Sequence, residues 1–81
     1  MKTPSNKELR EFITSRFSVK ELDDFCFDYF LEVKNEFGDG IRLTDMTKEL
    51  IGYCRRRELM ENLIISLQQE RGELYQQAFA P

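Results

Sequence analysis

The side chains that could do chemistry in this chain are its 15 carboxylates and two cysteines, because the sequence contains no histidine. Histidine is the commonest general base and metal ligand, so its absence removes most routes to acid–base and metal chemistry. Cys26 and Cys54 lie on the apolar stripes of predicted helices and lack the basic partner that activates a thiolate. We therefore predict that the chain is not an enzyme, binds no cofactor or metal, and keeps both cysteines as buried free thiols.

Charge is distributed in blocks along the chain. Residues 1–20 carry a net charge of +3, residues 21–39 carry −6, residues 40–57 carry +3, and residues 58–81 carry −3. The blocks sum to the net charge of −3 for the whole chain. The alternation predicts separate acidic and basic surfaces.

Helical spacing sorts these charges into two candidate interface faces. The acidic face consists of three carboxylates spaced i, i+3, i+7, which share one side of a helix: Glu21, Asp24 and Asp28. The basic face consists of two cations seven residues apart and a third nearby: Lys48, Arg55 and Arg56. Faces of opposite charge favour docking between modules; the alternative is an ordinary solvated surface.

Two apolar residues fall outside the apolar stripes. Phe27 lies roughly 140° around its helix from Leu22, and Ile65 lies on the far side of its helix from Leu59 and Leu63. Phe27 either packs under a short following helix or serves as an interface anchor beside the charges. Ile65 is either an isolated exposed residue or a second anchor.

Local signals predict helices almost throughout. Capping boxes begin at Ser5 and Ser18, where a serine is followed three residues later by glutamate. A short third helix is expected over residues 31–37, ending at a glycine-containing turn. Thr44 is the expected N-cap of a fourth helix, with Asp45 in its first turn.

The remaining apolar periodicity predicts a fifth helix over residues 59–67 and a sixth over residues 73–79, with Gly72 between them. The sequence thus predicts an all-α fold, a compact antiparallel six-helix bundle forming one domain over residues 1–81. The expected buried residues come from four of these helices: Phe12, Phe25, Cys26, Tyr29, Leu50, Cys54 and Leu63.

Composition also limits the partners. The net charge of −3 argues against nucleic acid, because neutralising phosphates requires a basic surface. No apolar run approaches the ~20 residues that span a bilayer, and the N-terminal residues do not form a signal peptide. A cytoplasmic protein that contacts neither nucleic acid nor membrane is expected.

The chain resembles the effector-associated domains of bacterial conflict systems, which are also described as bacterial death-like domains. The resemblance covers about residues 7–75. It is carried by Glu8-Leu-Arg-Glu-Phe-Ile13, the helix break at Phe17-Ser18, Phe25-Cys-Phe-Asp28, the Phe37-Gly-Asp-Gly40 turn and Tyr53-Cys-Arg-Arg-Arg57. The chain departs from the family pattern at Leu31, where a proline is frequent, and in the longer basic end of its fourth helix.

The resemblance implies a death-fold-like bundle without catalytic residues, which sits at the end of, or beside, a larger defence protein. Such domains bring effectors together by like-with-like association. The effectors include proteases, signalling NTPases, TIR domains and pore-forming proteins. The expected partner is therefore a like domain, on the same protein or on an effector, and the assembly is a homo-oligomer or filament.

A second function is open on composition alone. The chain could be a stand-alone helical regulator, similar to an antitoxin, that masks a toxin or another regulatory partner. A continuation of the gene into a protease, NTPase or TIR domain would favour the adaptor function over this one.

Overall fold

The computed structural model describes residues 4–79, and this part of the chain folds into five helices without a strand. The helices are α1 (Asn6–Arg16), α2 (Val19–Tyr29), α3 (Leu31–Asn35), α4 (Leu43–Arg56) and α5 (Met60–Phe79). The predicted all-α fold is confirmed. The predicted count of six helices is not confirmed, because five helices are counted in the described residues.

Reciprocal capping starts the first two helices where the sequence predicts. The Ser5 hydroxyl accepts the backbone N–H of Glu8 at 3.1 Å, and the Glu8 carboxylate accepts the backbone N–H of Ser5 at 2.9 Å. Ser18 and Glu21 repeat this arrangement at the same two distances. Each box satisfies two backbone donors that a helix end would otherwise leave unpaired. The extended residue Phe17 separates the helices.

The fourth helix begins earlier than predicted. Its N-cap is Arg42, whose carbonyl accepts the backbone N–H of Met46 at 2.9 Å, so the predicted N-cap Thr44 lies inside the first turn. Starting there places Leu43 in the helix and packs it against the core. This burial outweighs the missing side-chain cap. Asp45 does lie in the first turn, as predicted.

The predicted boundary between a fifth and a sixth helix is a kink within α5. Arg71, the residue before Gly72, has non-helical φ and ψ angles of −137° and 44°, and α5 continues on both sides of it. The change of direction brings Tyr75 to 5.7 Å and Phe79 to 5.4 Å from the ring of Phe12, measured between ring centroids. Aromatic packing on α1 therefore holds the C-terminal part of α5 in place.

The core forms where α1, α2, α4 and α5 meet. Six of the seven predicted core residues are buried: Phe12, Phe25, Cys26, Leu50, Cys54 and Leu63. Tyr29 is only half-buried, because its ring lies 5.0 Å from Phe25 while its hydroxyl reaches the surface and donates to the Glu70 carboxylate at 2.9 Å. Phe30, at the end of α2, completes this aromatic cluster.

Within residues 4–79, no helix is both long and apolar enough to cross a membrane.

Candidate functional site

The cysteines and carboxylates do not assemble into a reactive centre in the described part of the chain. Cys26 and Cys54 are buried free thiols, as predicted. Burial raises the pKa of each thiol to about 12, with the Asp23 charge adding to the effect at Cys26. Such thiols remain protonated and unreactive at neutral pH. No three His, Cys, Asp or Glu side chains among residues 4–79 lie close enough together to hold a metal ion.

The predicted acidic residues border one hollow of about 160 Å³, which we call the acidic recess. It is lined by four carboxylates: Glu21, Asp24 and Asp28 from α2, and Glu70 from α5. The two phenyl rings beneath them belong to Phe17 and Phe25. The structure therefore brings the three predicted acidic residues together and adds a fourth that the sequence pattern on α2 does not reveal.

An arginine from α5 also lines the acidic recess. The guanidinium of Arg71 lies 4.4 Å from the ring centroid of Phe17 and 3.2 Å from a carboxylate oxygen of Glu21. Hydrogen bonds from Ser18 lower the pKa of Glu21, and the charge of Arg71 lowers it further. Arg71 thus neutralises part of the recess from within. Its position, 50 residues from Glu21 in the chain, could not be read from helical spacing.

The other two carboxylates of the predicted acidic face differ in their partners. Asp24 forms an i, i+4 ion pair with Lys20 at 3.3 Å, and both side chains are mostly exposed. Such pairs contribute only ~0–1 kcal/mol, so a competing partner can displace Lys20 at little cost. Among residues 4–79, Asp28 forms no ion pair. The carboxylates of Asp24 and Asp28 are therefore available to an approaching cation.

The cations form a separate hollow of about 220 Å³ between α1 and α4, which we call the basic recess. Its cations are Arg10 from α1 and Lys48 and Arg55 from α4, and its remaining lining is Asn6, Ile51 and Gly52. The Arg55 guanidinium donates a hydrogen bond to the carbonyl oxygen of the Asn6 side chain. Within residues 4–79, none of the three cations is in an ion pair, so their charge is not compensated locally.

Two differences separate this basic recess from the basic face predicted on α4. Arg10 joins it because α1 packs against α4, a relation that the sequence does not reveal. Arg56 borders a different hollow, in which it faces three glutamates: Glu32, Glu36 and Glu49. The structure thus brings Lys48 and Arg55 together and places Arg56 in a hollow shared with three glutamates, with none of which it forms an ion pair.

Phe27 and Ile65 are both exposed, with 59% and 47% of their surface accessible. Packing of Phe27 under α3 is therefore excluded, because α3 instead inserts Val33 into the core. Leu31, four residues after Phe27, is 50% exposed as well. Phe27 consequently stands on the outer surface of α2, one helical turn from Asp24 and next to Asp28.

Comparison with known proteins identifies one family. The family model described as Effector-associated domain 7 matches residues 9–72. This match spans most of the chain and includes α1 to α4 almost entirely, together with α5 as far as its kink. No curated protein and no solved structure matches the chain significantly.

Proposed function

The chain belongs to the effector-associated domain 7 family, and on that premise we propose that it is a non-catalytic protein–protein interaction domain. It associates with like domains in the bacterial cytoplasm and thereby recruits or clusters an effector in antiphage immunity. The effector is a protease, an NTPase, a TIR domain or a pore-forming protein. Its partner is a second copy of the domain or a related domain carried by that effector.

The observation that carries this proposal is the presence of two oppositely charged recesses on one small domain. The acidic recess opens on α2 and α5, and the basic recess opens on α1 and α4. Because they are formed by different helices, a second copy can place its acidic recess against the basic recess of the first. This head-to-tail contact is heterologous, so it extends into a filament unless its rotation closes a ring.

Charge alone supports only weak association. Exposed ion pairs contribute ~0–1 kcal/mol each, which leaves two or three such pairs far short of the ~8 kcal/mol that a micromolar complex needs. The charges supply specificity and encounter rate, and apolar burial must supply most of the affinity. The exposed side chains Phe27 and Ile65 are the candidates for this burial.

Charge exchange between two variants tests the proposal. One variant carries Asp24→Arg and Asp28→Arg, and the other carries Lys48→Glu and Arg55→Glu. We expect each variant alone to lose the self-association of the wild type, because like charges then face each other. The mixture should recover association, with the two variants present in equal amounts. Size-exclusion chromatography with light scattering, across protein and salt concentrations, measures both results.

Two controls accompany the exchange. Far-ultraviolet circular dichroism should remain that of the wild type, because all four substituted side chains are exposed. Arg56→Glu should weaken association less than Arg55→Glu, since Arg55 lines the basic recess and Arg56 lines a different hollow. Self-association that survives both double variants unchanged would refute the electrostatic contact and direct attention to another surface.

A further inference from the structure

The aromatic side chain of Phe27 does not contribute to the core of the domain. Phe27 is the most exposed of the large hydrophobic residues in the described part of the chain. Its ring is not among the aromatic rings that pack against Phe25. Asp24, three residues before it, is its neighbour on the helix surface, and Asp28 lies roughly 100° around α2 on the same side of Phe27 as Asp24. Phe27 and these carboxylates therefore form one exposed strip, apolar at one edge and acidic beside it.

The basic recess has the complementary composition. Its floor is apolar and consists of Ile51 and the bare backbone of Gly52. Around that floor stand Arg10, Lys48 and Arg55, which have no carboxylate partner within residues 4–79. Its volume of about 220 Å³ exceeds the roughly 150 Å³ of a cavity that holds a benzene ring.

Gly52 keeps the basic recess open. A Cβ atom built at this position would meet only the flexible guanidinium of Arg56, at 3.3 Å, and its φ angle lies outside the left-handed region. Neither core packing nor backbone conformation therefore requires a glycine here. Glycine is nevertheless among the least favourable residues in a helix interior. In this structure Gly52 lines the recess without a side chain, and a longer residue there would occupy space between the recess and the Arg56 guanidinium.

We infer that the basic recess receives Phe27 of a second copy of this domain, while Asp24 and Asp28 of that copy meet Arg10, Lys48 and Arg55. This inference rests on the proposed function and specifies the contact that produces it. An interface hot spot consists of a buried anchor, often aromatic, and surrounding contacts that exclude water. The Phe27 ring on the apolar floor, with ion pairs around it, has this composition. The occupant is a protein surface rather than a phosphate, because a phosphate would leave the apolar floor uncovered.

Two single substitutions test the two sides of this contact independently. Phe27→Ala removes the anchor and leaves the basic recess intact. Gly52→Gln fills the recess with a good helix former and leaves Phe27 intact. We expect each to weaken self-association at least tenfold. The control substitutions Val19→Ala and Gly72→Gln, at an exposed apolar residue that lines neither recess and at another helical glycine, should change it less than twofold.

Nuclear magnetic resonance on the full chain reports the contact directly. Nitrogen-15-labelled Phe27→Ala protein is titrated with unlabelled Gly52→Gln protein, so that only the predicted pair of surfaces is available. The amide signals of Gly52 and Arg10 should shift to saturation. With the labels exchanged, the amide signal of Phe27 should shift instead.

The outcomes distinguish this contact from the proposed function. Wild-type protein that self-associates while both substitutions leave the association unchanged would overturn the Phe27 contact and retain the proposed function. Failure of the Phe27→Ala protein to bind the Gly52→Gln protein would likewise overturn the Phe27 contact and retain the proposed function. A wild type that stays monomeric up to millimolar concentration would overturn the Phe27 contact between copies and leave a related domain on an effector as the partner in the proposed function. Saturation of the Gly52 shift by millimolar inorganic phosphate, without any effect of added protein, would assign the recess to a phosphate ligand instead.

Discussion

Phe25 and Phe27 provide the most direct test of how α2 is oriented. They are two residues apart in one helix, yet Phe25 is 3% exposed and Phe27 is 59% exposed. The ring centroid of Phe25 lies 5.5 Å from Phe17, 5.0 Å from Tyr29 and 6.2 Å from Phe30. The same substitution, phenylalanine to alanine, should therefore have very different consequences at the two positions.

The expected magnitudes follow from these environments. Replacing a buried phenylalanine by alanine costs ~3–5 kcal/mol, against a free energy of unfolding of roughly 4–12 kcal/mol for a domain of this size. Phe27 has about two-fifths of its surface covered, and full burial of such a side chain is worth about 1.5–3 kcal/mol. Its loss thus costs about 0.6–1.2 kcal/mol, which the better helix propensity of alanine offsets by up to ~0.7 kcal/mol.

Urea denaturation followed by far-ultraviolet circular dichroism measures the difference. Phe27→Ala should unfold with nearly the wild-type midpoint, whereas Phe25→Ala should lose most of its stability. Because Phe25→Ala could be too unstable for a complete transition, Phe25→Leu serves as a milder variant, with an expected loss of about 1–1.5 kcal/mol. Equal destabilisation by the two alanine substitutions would show that α2 does not bury the face assigned to it.

Three further predictions concern stability, thiol reactivity and pH. Gly72→Ala should raise the free energy of unfolding by up to about 1 kcal/mol, because nothing lies within 4 Å of a Cβ built at this position. Gly52→Ala should raise it less, because its Cβ would lie 3.3 Å from the Arg56 guanidinium, which must move; a larger gain for Gly52→Ala than for Gly72→Ala would contradict this. Cys26 and Cys54 should react with a thiol reagent at about pH 8 only as fast as the protein opens, and at once in denaturant, because burial raises the pKa of each thiol to about 12; rapid labelling of the native protein would refute it. Glu21→Gln should reduce the loss of stability on acidification, because hydrogen bonds from the N-cap serine lower the pKa of Glu21 below its ordinary value of 4.5. The contribution of a carboxylate with a lowered pKa is present above pH 4.5 and is lost as the pH falls through the folded-state value. Melting temperatures between about pH 7 and pH 3 that fall in parallel for both proteins would contradict this.

Features that depend on neighbours in sequence could be predicted without the structure. The capping boxes at Ser5 and Ser18 join residues three positions apart, so they define helix starts wherever the helices are finally placed. Helical periodicity likewise identified Phe25 and Cys26 as buried and grouped Asp24 with Asp28 on one side of α2. These relations follow from the geometry of a single helix and need no knowledge of its partners.

Features that depend on how the helices pack required the tertiary structure. The N-cap of α4 is Arg42 rather than Thr44, and this start packs the partly buried Leu43 against the core. Arg10 met Lys48 and Arg55 only because α1 and α4 lie side by side, and Arg71 reached the acidic recess from 50 residues away.

The sequence by itself therefore determined which residues carry the charges and where most helices begin, through contacts within one or two helical turns. Tertiary packing decided which charges share a recess, that Arg71 neutralises part of one recess, and that Phe27 remains exposed. The physical reason is the same in each case. A recess lies between helices, and its composition depends on which helix faces meet when the core is buried.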